Sequence, residues 1–197
     1  MTWSFRYFQG PRDDMSFRAR VDVRCHFCDE NGEGFDLRYA QCALSDQEKE
    51  AKFGCARCLS QGHFEFWHDT DIGMLDENGL ATVYKHNGSP PSDFPEAALF
   101  ELRHTPQIVT WQQELWLTHC NDFMSYIGTW EPADFVRHSE TGDGRALFLE
   151  MTRDSELRFL WDECLEPNET VPAGWHAVYY AFRCLHCGNL AGNWDCD

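Results

Sequence analysis

The chain has 197 residues and a formal net charge of −17, from 33 acidic and 16 basic residues, and 43% of its residues are hydrophobic and 15% aromatic. The hydrophobic content excludes a disordered chain and is enough for the core of one domain. The charge disfavours nucleic acid and anionic membranes as partners, since both are negatively charged, and favours a basic protein or metal cations.

The predicted elements begin with a turn-rich N-terminal region, residues 1–62. Residues 20–24 alternate weakly as a strand, and the sequence Asn-Gly-Glu-Gly at 31–34 is typical of a turn. Residues 45–48 have the Ser-x-x-Glu spacing of a helix capping box, which predicts one or two helical turns. In the stretch that follows this region, we predict a strand over residues 81–85.

The middle of the chain, residues 93–165, is predicted to be helical. Its helices are indicated by N-cap and capping-box patterns, by proline in a first turn and by apolar residues at helical spacing. The second of these helices is predicted to carry Trp111, Leu115 and Thr118 on one face. Residues 142–144 are predicted to form a turn. The four predicted helices begin at about residues 93, 110, 131 and 155.

The C-terminal region, residues 175–197, opens with a predicted strand over residues 176–182 that is dense in tyrosine and phenylalanine. Strands near both termini with helices between them predict an α+β fold, with zinc-ribbon-like Cys-x-x-Cys knuckles on the short terminal strands. We expect a single domain over residues 1–197, in which the terminal strands meet in one sheet.

The N-terminus predicts the cellular compartment. It lacks the lysine-rich start and the continuous apolar stretch of a secretory signal, and no run of about 18 apolar residues could span a bilayer. We therefore expect a cytoplasmic protein. Thiols stay reduced there, so paired cysteines indicate metal binding or catalysis rather than disulfides.

Two Cys-x-x-Cys units lie in the N-terminal region, Cys25 with Cys28 and Cys55 with Cys58. Two such units can place four thiolates around one zinc ion, because the two-residue gap lets both sulfurs of a pair point at the same ion. We predict a structural zinc site here. Two unrelated pairs of buried cysteines and a thioredoxin-like redox motif are the alternatives. The redox motif is disfavoured because neither pair opens a helix in a βαβ unit.

A third unit, Cys184 with Cys187, follows the C-terminal strand, and Cys196 comes soon after it. A second zinc site built from these three cysteines needs a fourth ligand, for which His119 or Cys120 is the most economical candidate. A rival arrangement remains open, in which the third unit shares an ion with one N-terminal unit and leaves the other unit free.

The other cysteines and ligand-type residues are predicted to be structural. Cys42 and Cys164 are expected to be buried reduced thiols. A dense group of possible ligands between residues 63 and 71 is expected to form a solvated polar loop, because no helix pattern brings its histidines to one face. The group consists of His63, Glu65, His68, Asp69 and Asp71.

The chain contains no motif that indicates an enzyme. It lacks the His-Glu-x-x-His pattern, the zinc-deaminase pattern, a nucleophile elbow and a phosphate-binding glycine loop. Residues 111–122 are unusual in combining tryptophan, amide, acid, histidine and cysteine. We predict mainly a structural role for this segment, with a recognition face or the support of a metal ligand as the alternative.

Stretches that combine rare residues at fixed positions resemble the CbrC family, bacterial proteins named for tolerance to a colicin. The resemblance runs nearly end to end, but residues 63–92 match poorly. The first unit also departs from the pattern, since it reads Cys-His-Phe-Cys-Asp and does not end in glycine. The resemblance implies a context of defence against toxins and no mechanism. The matching stretches are residues 5–7, 55–62, 103–106, 111–122, 182–188 and 195–197.

These observations lead us to expect a cytoplasmic, zinc-containing protein that acts by binding, with a basic toxin domain as the partner. The net charge favours fast, salt-dependent association with such a domain, although plain solubility explains the charge equally well. Two alternatives stay open: a metal-dependent enzyme of the stress response with its site near His119 and Cys120, and a zinc-stabilised regulatory adaptor.

Overall fold

The structure is a computed structural model in which short strands and a few helices alternate, and the α+β prediction is confirmed. No helix among the residues described is long and apolar enough to cross a membrane. For residues 42–43, 76, 79–84, 163–165 and 196 only the backbone is described. The described residues are 4–19, 21–38, 42–43, 51–66, 70–76, 79–84, 94–112, 114–152, 159–165 and 177–196.

A four-stranded sheet has the order β10-β9-β7-β8. Strands β7 and β9 run parallel, and the other neighbours are antiparallel. A two-residue turn, Cys120-Asn121, joins β9 to β10, so that His119 pairs with Asp122. The strands are β7 (Asp71–Asp76), β8 (Gly79–Tyr84), β9 (Leu115–His119) and β10 (Asp122–Phe123).

A three-stranded antiparallel sheet has the order β11-β12-β13, with β11 at Ser125–Trp130, β12 at Ala177–Arg183 and β13 at Leu190–Cys196. Only Met124 separates β10 from β11, so the chain passes directly from one sheet into the other. Ser125 pairs with Arg183. This register brings the β9–β10 turn to the end of β12, where the third cysteine unit begins.

Strand β12 separates two hydrophobic cores. Tyr180 and Phe182 pack into the larger core, while Tyr179 and Ala181 pack into a smaller one with Phe135. Successive side chains of a strand point to opposite faces, so a strand covered on both sides is apolar throughout. This explains the run of aromatic residues that predicted the strand, which is confirmed.

The predicted helices near residues 93 and 131 are confirmed, and the third helix begins at proline as predicted. The fourth α-helix was not predicted, because residues 142–144 were assigned to a turn. The Asp143 carboxylate accepts a hydrogen bond from the Ala146 N–H (2.9 Å), which caps the start of this helix. The helices are α1 (Ala56–Ser60), α2 (Glu96–Arg103), α3 (Pro132–His138) and α4 (Gly144–Thr152), with a 3₁₀ turn at Arg12–Asp14 and a π-helical turn at Leu160–Leu165.

The N-terminal part of the chain forms three two-stranded sheets, β1-β2, β3-β5 and β4-β6. Residues 31–34, predicted as a turn, contribute to β2 and β3 instead. The described strands near the N-terminus do not join the β11–β13 sheet, and a bridge between Phe8 and Tyr126 links the two regions. The strands are β1 (Val23–Arg24), β2 (Asn31–Gly32), β3 (Gly34–Asp36), β4 (Cys42–Ala43), β5 (Phe53–Cys55) and β6 (Glu65–Phe66).

The helix predicted to begin at residue 110 is wrong, because a loop and then β9 occupy this stretch. The Thr110 hydroxyl donates to the Gln112 carbonyl inside the loop (2.9 Å) and caps no helix. Strand β9 is covered on both faces, so three consecutive residues are buried and the alternation that identifies a strand is missing. These residues are Trp116, Leu117 and Thr118.

Several predicted features fall partly or wholly outside the described residues. The short helix predicted from residues 45–48 lies outside them, and so does the start of the helix predicted near residue 155. The end of that second helix is described as the π-helical turn. The predicted strand over residues 81–85 is confirmed as β8 for the part that is described.

Candidate metal centres

The first cluster consists of Cys25, Cys28, Cys55 and Cys58, whose sulfur atoms all lie within 4.8 Å of one another. Cys25 and Cys28 flank a tight turn after β1. Cys55 ends β5 and also occupies the N-cap position of α1, so Cys58 lies in the first turn of that helix. The His26 N–H donates to the Phe53 carbonyl (2.9 Å), which holds the turn against β5.

The spacing of the first cluster fits a tetrahedral ion. In a zinc site with Zn–S bonds of about 2.3 Å, sulfur atoms lie about 3.8 Å apart, and the Cys28 and Cys55 sulfurs are 3.8 Å apart. Backbone N–H groups also point at the sulfurs: Cys55 donates to Cys25 Sγ (3.3 Å), and Cys58 donates to Cys55 Sγ (3.4 Å). These hydrogen bonds stabilise negative charge on sulfur.

Burial and hydrogen bonding act in opposite directions on these thiols. Burial raises the pKa of Cys55 and Cys58, while a backbone hydrogen bond at Glu30 lowers the pKa of Cys28 to about 7. Thiolates are costly to bury without a compensating charge, and a bound divalent cation supplies that charge and deprotonates its ligands. The first cluster could therefore hold a divalent cation.

The second cluster consists of His119, Cys120, Cys184 and Cys187, whose ligand atoms also lie within 4.8 Å of one another. His119 ends β9, and Cys120 begins the two-residue turn to β10. Both turn residues have positive φ, 54° at Cys120 and 57° at Asn121, as a type I′ hairpin turn requires. Asparagine adopts this conformation readily, but cysteine rarely does.

The distances in the second cluster also fit one tetrahedral ion. His119 Nδ1 lies 3.4 Å from the sulfurs of both Cys120 and Cys187, and those two sulfurs are 3.9 Å apart. A tetrahedral zinc ion with one nitrogen and three sulfur ligands requires about 3.6 Å and about 3.8 Å respectively. A backbone hydrogen bond at Asn189 lowers the pKa of Cys187, which favours the thiolate that a metal needs.

The first and third cysteine units share one backbone pattern. In the third unit, Cys184 N–H donates to the Asn189 carbonyl (2.8 Å) and Gly188 N–H donates to the Cys184 carbonyl (3.0 Å). In the first unit, the Cys25 N–H donates to the Glu30 carbonyl (2.9 Å), and the Asp29 N–H donates to the Cys25 carbonyl (3.0 Å). Asp29 has φ 59° and Gly188 has φ 76°. Aspartate tolerates this left-handed conformation, so the unit forms without its glycine.

Asp122 links the second cluster to the rest of the fold. This buried carboxylate accepts hydrogen bonds from Arg6 (2.5 Å), from the Tyr7 hydroxyl (2.5 Å) and, if His186 carries a proton on Nε2, from that nitrogen (2.8 Å). His186 lies between Cys184 and Cys187, so Asp122 joins the N-terminal segment, the hairpin and the third unit. Its role was not predicted, because its partners are 64 to 116 residues away along the chain.

The structure brings together most of the predicted ligands, in two separate groups. It does not adopt the rival arrangement, in which the third unit shares an ion with an N-terminal unit. His119 and Cys120 were alternatives for one position, and both belong to the second cluster.

Cys196 is not placed with the other members of the predicted second site. It pairs with Ala177, while Leu190, next to the third unit, pairs with Arg183. Six residues of strand, about 20 Å, therefore separate its backbone from that unit. The ligand position that was predicted for Cys196 is taken by another residue, because His119 and Cys120 both belong to the second cluster.

The remaining candidates were expected to be structural. The side chains of Cys42 and Cys164, and all of His68 and Asp69, lie outside what the structure describes. His63 is exposed, and its ring stacks on Phe27 with centroids 6.4 Å apart.

The two clusters differ in their access to solvent. In the first cluster Cys25 and Cys58 are 0% and 1% exposed, whereas in the second cluster Cys120 and Cys187 belong to the exposed surface. A cleft of about 1100 Å³ opens beside the second cluster, lined by His119 and Cys187 and by residues of α3 and α4. Three of the four cysteines of the first cluster are buried and Cys28 is half-buried, so the first cluster is less accessible to solvent than the second.

Two comparisons with known proteins bear on this chain. The model of an uncharacterised protein family, UPF0167, matches residues 3–196, a span that includes both clusters. No solved structure matches the chain. The family description states no activity, so the CbrC name and the role in colicin tolerance stay predictions.

Proposed function

Because the chain belongs to the uncharacterised protein family UPF0167, we propose its function from its own residues: it binds one zinc ion at each of the two clusters. The observation that carries this proposal is that four sulfur or nitrogen atoms converge at both places within 4.8 Å. Zinc prefers four such ligands in a tetrahedron, whereas magnesium and calcium require oxygen. The first site is structural, since three of its four cysteines are buried and its binding energy contributes to folding.

Elemental analysis of the purified protein tests the proposed zinc sites. We expect two zinc ions per chain, and one per chain after either Cys25→Ser or Cys187→Ser, because each substitution removes a ligand of one cluster. A wild-type protein without zinc, or with iron and the visible absorbance of an iron–sulfur cluster, contradicts the proposal. Cys196→Ser is the matched control and retains both ions.

The proposal extends to a partner: the protein acts in the cytoplasm by binding the basic domain of a colicin-like toxin and so confers tolerance. The net charge of −17 supports this extension, together with the resemblance to the CbrC family. Nuclease toxins are commonly basic because they bind phosphate, and opposite charges accelerate association.

Binding to purified colicin domains tests this extension. We expect a basic nuclease domain to bind, with an affinity that falls steeply as the salt concentration rises from about 50 to about 300 mM, because salt screens the charges. An acidic colicin domain of similar size is the control. No binding by any basic domain, or binding that is indifferent to salt, contradicts a toxin-binding role.

A metal-dependent enzyme is the second candidate function, favoured by one observation. The second cluster lies on the wall of the cleft, so a bound ion there would be close to any ligand in it. This candidate predicts that changing His119 or Cys120 abolishes function while the fold is kept. Unfolding of both variants indicates a structural ion instead.

A further inference from the structure

A second concave surface lies away from both clusters and carries an exposed tryptophan. Trp111 is 50% exposed and its neighbour Val109 is 48% exposed. Both line a groove of about 520 Å³, which we call the Trp111 groove; Pro132 and residues of β12 contribute to its walls. Large exposed apolar side chains that cluster in a groove indicate a binding surface, since water solvates them poorly.

The loop that carries Trp111 is held in place by a buried carboxylate. Asp195, which is 5% exposed, accepts hydrogen bonds from the backbone N–H groups of Trp111 and Gln112, each at 3.1 Å, and from the Tyr180 hydroxyl at 3.0 Å. The backbone that carries the exposed tryptophan is therefore fixed by hydrogen bonds. A preorganised aromatic residue loses little conformational entropy on binding, as is usual for the anchors of protein interfaces.

The charged side chains described at the Trp111 groove are negative. Among the described residues that line it, Asp13, Asp14 and Glu131 are acidic and none is basic. The Asp13 side chain pairs with Arg18 at 2.5 Å through one oxygen and is 93% exposed. Asp14 accepts a hydrogen bond from the Tyr126 hydroxyl (2.7 Å), which fixes its position at the groove.

We propose that the Trp111 groove binds a basic segment of a protein partner, with an arginine or lysine side chain against the Trp111 ring and its charge toward the three carboxylates. A cation above an aromatic ring is attracted by the ring electrons, and the aliphatic part of an arginine or lysine side chain covers apolar surface. This inference rests on the proposed binding of a basic domain, and it assigns that binding to one surface of the chain.

A synthetic peptide of alternating arginine and leucine, blocked at both ends, is the probe, titrated calorimetrically into the zinc-loaded protein. We expect Trp111→Ala to weaken binding by about tenfold or more, as for the central anchor of an interface. Asp13→Asn is expected to reduce the dependence of the affinity on salt. Phe100→Ala is the matched control, because Phe100 is 57% exposed but does not line the groove, and it changes the affinity by less than about twofold.

The outcomes separate this inference from the proposed function. If wild-type protein does not bind the peptide, or if Trp111→Ala binds it as tightly as wild type, the inference is overturned. If a basic colicin domain binds wild type and Trp111→Ala equally well, the groove is again excluded, but the toxin-binding function stands. If no colicin domain binds while peptide affinity depends on Trp111, the groove is supported and the toxin is excluded as its partner.

Discussion

Residues in unusual backbone conformations lie next to the ligands of both clusters. Cys120, Asn121 and Asp29 have positive φ although none is glycine, and Gly188 shares this conformation. Such residues persist where the surrounding structure requires them, as at ligand sites. The I′ turn directs Cys120 toward the second cluster, and a left-handed residue ends the first and third Cys-x-x-Cys units.

A substitution at Gly188 tests whether the left-handed backbone conformation is required there. A Cβ atom built at Gly188 meets no atom within 4 Å, so the only cost of Gly188→Ala is the left-handed backbone. We expect Gly188→Ala to lower the free energy of unfolding by about 1 kcal/mol, and Gly188→Asn by less, because asparagine tolerates positive φ. Denaturant unfolding of the zinc-loaded proteins measures both values. Equal stability of all three proteins would show that the conformation carries no cost.

At the scale of elements, each cluster combines a Cys-x-x-Cys turn with a second element of different backbone structure. The first cluster combines such a turn with the β5–α1 junction, and the second combines one with the β9–β10 hairpin. In the first cluster Cys25, Cys55 and Cys58 are buried and belong to the larger hydrophobic core. The hairpin side of the second cluster is open to solvent. We therefore expect the two ions to exchange at different rates.

A chelator in excess should remove zinc in two phases of about equal amplitude, because attack on an ion requires access to its ligands. The fast phase is expected from the second cluster and should be missing in Cys187→Ser. The slow phase should be missing in Cys25→Ser, and the loss of the buried ion should also destabilise the fold more. A metallochromic indicator follows the release. A single phase, or a fast phase that survives in Cys187→Ser, contradicts this order.

At the scale of the whole molecule, the two sheets and the N-terminal segment meet at one buried carboxylate. Asp122 begins β10, which leads through Met124 into β11, and it contacts the N-terminal segment and the third cysteine unit. Ionised groups that are buried with several hydrogen bonds contribute more than exposed ion pairs do. Asp122 thus couples segments that are distant along the chain.

We expect Asp122→Asn to lower the free energy of unfolding by roughly 1–3 kcal/mol, because it removes a buried charged acceptor from the buried Tyr7 hydroxyl and from the half-exposed Arg6 and His186. Asp162→Asn is the matched control. Asp162 pairs with Arg145 at 2.6 Å, but both side chains are about half exposed, so little stability is lost. Thermal or denaturant unfolding compares the two variants. Equal effects of the two substitutions would show that Asp122 is no more than a surface ion pair.

The amino-acid sequence by itself determined the features that depend on residues close together in the chain. The two-residue gap of each Cys-x-x-Cys unit is local, as are the helix starts near residues 93 and 131. The spacing of two such units in one region also predicted the pairing of Cys25 and Cys28 with Cys55 and Cys58, but it left open the rival arrangement with the third unit, which the structure excludes.

Only the tertiary structure decided the membership of the second cluster. The pairing of Ser125 with Arg183 brings His119 and Cys120 to the third unit, and the β12–β13 register carries Cys196 away from it. The register between β11 and β12 joins segments more than 50 residues apart, so it is set by packing and leaves no local pattern in the sequence. The same reason explains why β9 was predicted as a helix: it is buried on both faces, so its sequence lacks the alternation of a strand.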